Sequence, residues 1–186
     1  MANKYTYQIL RDTTTDAVIK LTGTFDGSGN EANNQRIQAN TLYGALANNG
    51  YLVANNQGGA ANTTLGYYNV QVTGLKYFIN FPATSPLGSV EIFWNGGGAT
   101  AAAQYANSAT IAHLNSQGDF GNGEQLPSIP NNGSGGNGDI GIYTLGATAN
   151  AAYTMIISIR KDNAQYQRGQ LNDPAAFNYG AYKLTP

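Results

Sequence analysis

The chain has 186 residues, of which only 10% are charged, and its formal net charge is −1. Its lysines and arginines are dispersed, with Arg160-Lys161 as the one adjacent pair. This excludes nucleic acid as the main partner, because phosphate binding needs clustered basic side chains. The absence of cysteine excludes disulfides, thiolate chemistry and cysteine-based metal sites.

Six segments alternate apolar and polar residues at a period of two and are rich in β-forming residues, which predicts strands. These are residues 5–11, 17–25, 67–81, 90–94, 140–145 and 151–160. The first two flank a polar turn and predict a β-hairpin. Gly74 predicts a bulge or bend within the third.

The segments between these strands are less regular. Residues 33–50 predict a strand around Ile37 followed by a short helix over 42–47. The Ala-rich residues 99–114 fit either a weak strand or a short helix. Residues 115–139 predict a loop that is unusually long for a compact domain, which indicates a functional role or a covering partner.

Together these elements predict an all-β fold, a β-sandwich of jelly-roll type with long loops rich in Gly and Asn, over residues 1–161. Residues 162–186, with unevenly spaced aromatic residues, are predicted to form an irregular C-terminal arm. We expect this arm to pack either on its own domain or on a neighbouring subunit. The candidate interface residues are Tyr166, Phe177, Tyr179, Tyr182, Phe120 and Leu126.

Few residues suit catalysis. His113 is the only histidine, and no G-x-S-x-G motif is present, so ordinary hydrogen bonding is the favoured role for His113. Glu91, Asp119, Glu124 and Asp139 are the acidic residues that could form a glycosidase pair. Their separations cannot be deduced from the sequence, and we expect no enzymatic activity.

No metal or cofactor is expected either. Residues 26–31 resemble the start of a calcium loop, but Glu31 occupies the place of the turn glycine and Ile37 that of the bidentate glutamate. A polar hairpin turn is favoured instead. The glycines at 96–98 and 133–138 lack the lysine or fingerprint of a nucleotide-binding loop.

Trp94 has two alternative roles. It shares the face of Val90 and Ile92, which favours a place in the core. Exposed on a β-sandwich, it could instead stack on a sugar together with loop tyrosines. A carbohydrate-binding module is therefore an alternative function.

Three stretches carry a family resemblance: YTYQILRDTTTDAVIKLTGTFDGSG, QRIQANTLYGALANNGYLVANNQGGAANTT and YQRGQLNDPAAFNYG. They resemble virion structural proteins of tailed phages that infect marine bacteria. The resemblance implies a non-enzymatic particle component, a decoration protein on the outside of the head, β-rich and often trimeric. A tail- or fibre-associated protein of the same particle is the alternative.

The partners implied are further copies of this chain and the major capsid protein or other virion proteins, and the implied location is the capsid surface. The N-terminal MANKYTYQILRD lacks the apolar run of a secretory signal, so we expect synthesis in the host cytoplasm. No stretch approaches membrane-spanning length, so no membrane partner is expected.

Overall fold

A computed structural model of the chain describes residues 2–32, 34–45, 68–82, 88–98, 100–120, 129–130, 138–161 and 166. The strands are β1 (Lys4–Asp12), β2 (Asp16–Thr24), β3 (Asn34–Ile37), β4 (Val70–Asn80), β5 (Ser89–Trp94), β6 (Ala109–Leu114), β7 (Gln117–Phe120), β8 (Ile129–Pro130), β9 (Ile140–Leu145) and β10 (Ala152–Lys161). Helical structure within the described residues is limited to α1 (Ala101–Ala106) and a 3₁₀ turn at Ala39–Thr41. None of it is long and apolar enough to cross a membrane.

The strands form two antiparallel sheets. One has the order β1-β2-β10-β4-β7, with β8 also paired to β4, and the other has the order β3-β9-β5-β6. Four pairs are nested in the sequence: β2 with β10, β3 with β9, β4 with β7, and β5 with β6. The chain therefore changes sheets at six of the nine connections between the described strands, and the strands of its second half pair with those of its first half in reverse order.

The core lies between the sheets and follows from the period-two pattern. In β10 the inward residues Tyr153, Met155, Ile157 and Ile159 are buried. In β5, Trp94 is fully buried together with its inward neighbours. The prediction of an all-β sandwich is confirmed.

Several local predictions are also settled. The register of β10 against β4 shifts next to Gly74, which confirms the predicted bulge. The Ala-rich segment contains both of its alternatives in succession, α1 and then β6.

Two predictions were wrong. Residues 42–45 form a turn after the 3₁₀ helix, and the rest of the helix predicted over 42–47 lies outside the described residues. The predicted long loop at 115–139 contains β7 and β8, which were missed because their sequences are poor in β-forming residues. Both pair with β4, whose backbone groups need partners along that side.

Candidate functional site

Glu91, one of the four acidic candidates, is the centre of a polar cluster on the outer face of the four-stranded sheet. Its carboxylate accepts a hydrogen bond from the Tyr105 hydroxyl at 2.7 Å and another from the Thr110 hydroxyl at 2.7 Å. Tyr105 lies on α1, Thr110 on β6 and Glu91 on β5. Each carboxylate oxygen of Glu91 therefore accepts one hydrogen bond from a hydroxyl group. Because Tyr105 belongs to α1, its hydrogen bond attaches this helix to the sheet.

Aromatic contacts complete this attachment. The Tyr105 ring stacks on Tyr143 with centroids 5.3 Å apart, and it meets the buried ring of Phe93 edge-on at 5.1 Å. The hydrogen bond to Glu91, with burial as a further cause, raises the pKa of Tyr105 to about 12. Tyr105 therefore holds its proton, and with it this hydrogen bond, across the neutral range.

Of the other candidate catalytic residues, His113 lies beside Glu91 on the neighbouring strand, whereas Asp119 and Asp139 do not. His113 is 67% exposed, and its Nε2 lies 3.8 Å from Glu91 Oε1. Asp119 lies in the other sheet, where it forms an exposed ion pair with Lys76 at 3.0 Å. Asp139 is buried and accepts the backbone N–H of Ala39 at 2.7 Å. Glu124 lies outside the described residues.

Trp94 is fully buried, which confirms its place in the core. It offers no face to a sugar, so the carbohydrate-binding alternative was wrong about its main residue.

The segment that resembles a calcium loop is a turn followed by a buried acid. Asp26 Oδ1 accepts the backbone N–H of Ser28 at 2.9 Å. Glu31 is buried; its carboxylate pairs with the Arg36 guanidinium and accepts the Tyr153 hydroxyl at 2.8 Å. Within the described part of the chain, no group of three or more His, Asp or Glu side chains could hold a metal ion.

Tyr166 is the one residue of the predicted C-terminal arm that the structure describes, and it lies in the core of its own domain. It is fully buried, and its hydroxyl donates to the backbone oxygen of Ala39 at 2.7 Å. Its ring lies 5.2 Å from that of Tyr68, and its backbone pairs with Ala45. Tyr166 is thus unavailable to a neighbouring subunit, which corrects its assignment as an interface residue.

The remaining interface candidates have different outcomes. Phe120, on β7, is half-buried and stacks on Tyr77 with centroids 5.9 Å apart. It therefore packs mainly against its own domain. Leu126, Phe177, Tyr179 and Tyr182 lie outside the described residues.

A buried ion pair beside Tyr166 was not predicted. The Lys161 ammonium pairs with Asp12 and also donates to the backbone oxygens of Thr13 at 2.6 Å and Tyr43 at 2.9 Å. Asp12 Oδ2 accepts the backbone N–H of Tyr43 at 2.8 Å. Burial lowers the pKa of Lys161, while Asp12 opposes that shift.

This ion pair also reaches the arm, because the ammonium lies 4.9 Å from the ring centroid of Tyr166. We call Lys161, Asp12, Tyr43 and Tyr166 the tail anchor. One sequence signal could have revealed it: Lys161 continues the inward row of β10 after Met155, Ile157 and Ile159.

Comparison with known proteins gives no family assignment. No family model matches the chain, and no curated protein matches it at a significant level. Among solved structures, a chain from a single-particle structure of maize chlorotic mottle virus is similar over 93% of this chain and 100% of that chain. The two are 13% identical in sequence, with a TM-score of 0.25. A TM-score of that size does not indicate a shared fold, so the resemblance to tailed-phage virion proteins stays a prediction.

Proposed function

We propose that the chain is a structural protein of a virion, and specifically a decoration protein that binds the outside of the head as a homo-oligomer. The observation that carries this proposal is the nested pairing of eight strands in two sheets. Such connectivity supports a jelly roll, an architecture used by viral capsid and lectin domains. The core, with Trp94 inside it, leaves the sugar-binding alternative without its main residue.

The composition supports a role in assembly. A surface with few charges and a net charge near zero favours association over mutual repulsion. The tail anchor fixes the chain at Tyr166, so an arm that reaches a neighbouring subunit would begin after that residue. In this proposal residues 167–186, with Phe177, Tyr179 and Tyr182, contact another copy or the major capsid protein.

The proposal includes no catalytic step and no cofactor. Glu91 is already bonded to Tyr105 and Thr110, and Asp119 belongs to the other sheet. Turnover of a polysaccharide by the purified protein that is lost in Glu91→Gln would contradict this part of the proposal.

A gold-labelled antibody against the chain, applied to intact particles, tests the location. We expect label over the head. Label confined to the tail would contradict the decoration proposal and support a tail- or fibre-associated protein. Particles without label would overturn the proposal that the chain belongs to the virion. An antibody against the major capsid protein is the positive control.

A further inference from the structure

The free edge of the six-stranded sheet is β1, which has a single partner, β2, among the described strands. Of its nine residues, all except Tyr5 and Asp12 are exposed. An edge strand presents unpaired backbone N–H and C=O groups, which are a template for another strand.

The inner face of β1 extends beyond the opposite sheet. By register, Tyr7 lies beside Leu21 of β2, and Ile9 lies beside Ile19. Leu21 and Ile19 are fully buried, whereas Tyr7 is 41% exposed and Ile9 is 47% exposed. The second layer of the sandwich therefore covers β2 but leaves the middle of β1 uncovered.

The middle of this edge lacks the usual protection against pairing, and the charged residues of β1, Lys4, Arg11 and Asp12, lie at its ends. Natural edge strands are commonly short, charged or interrupted by proline. Residues 5–10 contain no charged residue, proline or glycine. Of the five large apolar side chains that are strongly exposed in the described residues, three lie on this strand: Tyr7, Ile9 and Leu10.

The other edges differ. Strands β3 and β7 have four residues each, and each carries a charged residue, Arg36 and Asp119 respectively. The fully exposed positions of β6 are Thr110 and His113, which are polar. Among the described edge strands, β1 is thus distinguished by its uncharged run over residues 5–10 and by the exposed apolar side chains in it.

We propose that β1 is a self-association edge, at which two copies of the chain pair antiparallel about a two-fold axis beside Tyr7. This inference deepens the proposed function, since it supplies the contact through which a structural subunit would associate. The occupant is a second copy, because a two-fold axis makes an antiparallel strand complementary to itself.

The register follows from the strand. Residues that face each other across a ladder must point to the same side of the sheet, and the ladder of β1 is regular only up to the shift between Ile9 and Arg11. Centring the pair on Tyr7 places Tyr5 opposite Ile9 of the second copy, and Tyr7 opposite its own equivalent. Every inward residue of the regular stretch then has an apolar or aromatic neighbour.

Charge does not oppose this register. Lys4 faces Leu10 of the second copy, so no like charges meet. Arg11 and Asp12 lie beyond the paired stretch and are already engaged by Asp16 and Lys161. One strand pair makes a small interface, so we expect weak, concentration-dependent dimers in solution that a lattice would reinforce.

Cysteine cross-linking tests the register, because the natural chain has no cysteine. Opposite Cα atoms of an antiparallel pair are about 4.5–5.5 Å apart, within reach of a disulfide. Oxidised Tyr7→Cys should form covalent dimers. Tyr5→Cys and Ile9→Cys should stay monomeric separately and cross-link when mixed. Phe78→Cys, at an equally exposed apolar position on β4, is the control that should not cross-link.

Sedimentation of the uncross-linked protein tests the edge itself. Tyr7→Lys places two ammonium groups opposite each other at the two-fold axis. It should raise the dissociation constant of the dimer by about tenfold or more, whereas Phe78→Lys should leave it unchanged. Unchanged thermal unfolding of both variants shows that the fold is intact. A wild-type protein that is monomeric at every concentration, or equal cross-linking at positions 7 and 78, overturns the inference.

Particle experiments separate this inference from the proposed function. If Tyr7→Lys abolishes the solution dimer and lowers incorporation into particles, both are supported. If the protein is found in particles but never dimerises through β1, the inference fails and the proposed function stands. If the dimer forms but particles lack the chain, the proposed function fails alone.

Discussion

At the scale of single residues, two lysine–aspartate pairs show how environment decides what an ion pair contributes. The Lys161 side chain is fully buried and has three oxygen partners. The Lys76–Asp119 pair is exposed, at 63% and 57%. Breaking a buried pair leaves an uncompensated charge inside the protein, whereas an exposed pair contributes little.

We therefore expect Asp12→Ala to lower the free energy of unfolding by about 3–5 kcal/mol, and Asp119→Ala to change it by less than about 1 kcal/mol. Urea unfolding of both variants measures this. Adding Lys161→Met to Asp12→Ala should recover part of the loss, because the isolated charge is removed. Equal effects of the two aspartate substitutions would contradict the role given to the tail anchor.

The raised pKa of Tyr105 predicts that the free energy of unfolding depends on pH. Its pKa rises from 10.0 to about 12 in the folded protein, chiefly through its hydrogen bond to Glu91. A raised pKa means that the folded state holds the proton more tightly. The stabilisation it gives is therefore complete below pH 10 and is lost as the pH rises towards 12.

The difference in unfolding free energy between the wild type and Tyr105→Phe should therefore shrink from pH 9 to pH 12, since only the wild type loses this hydrogen bond. Denaturant titrations at each pH measure it. Taking the difference cancels the contributions of Tyr153 and Tyr166, whose pKa values burial also raises. A difference that is constant across this range would show that the bond to Glu91 does not stabilise the fold.

At the scale of elements, strands with a clear period-two pattern were predictable. The bounds of β9 agree with the prediction at both ends, and those of β1, β2 and β10 agree within one residue. Burial of alternate residues on one face requires apolar residues at every second position, so such strands are visible in the sequence. Strand β7, with the sequence QGDF, lacks the period-two pattern because its backbone pairing with β4 holds it in place.

The C-terminal arm was only partly predictable. Its aromatic residues are unevenly spaced, which predicts an irregular segment, but nothing local distinguishes Tyr166 from Tyr179. What places Tyr166 in the core is its contact with Ala39 and the bridge to Ala45, more than a hundred residues earlier in the chain. Contacts at such separation leave no periodic signal.

The burial of Tyr166, together with the role proposed for residues 167–186, predicts two results of truncation. A chain that ends after residue 161 loses the buried ring of Tyr166 and should be less stable by about 3–5 kcal/mol, as should full-length Tyr166→Ala. A chain that ends after residue 168 should keep its stability and lose binding to particles. Thermal unfolding and a particle-binding assay measure the two effects, and normal binding by the 168-residue chain would contradict the proposed role of the arm.

At the scale of the whole molecule, the sequence predicted two packed sheets of jelly-roll type but not the order of their strands. Pairing β2 with β10 joins residues near the two ends of the domain, such as Ile19 and Ile157. Several apolar strands would fit beside β2 equally well by their own sequences, so which strand pairs with β2 depends on packing of the entire core. The same holds for Glu91, whose neighbours Tyr105 and Thr110 come together only when α1 and β6 fold onto β5.

Our central proposal is that this two-sheet subunit decorates the outside of a capsid, and cryo-electron microscopy of intact particles tests it most directly. The account predicts density on the outer surface of the head into which the two sheets fit, with β1 at a contact between copies. Heads whose outer density is fully explained by the major capsid protein, with the two-sheet density found only along the tail or nowhere, would contradict it.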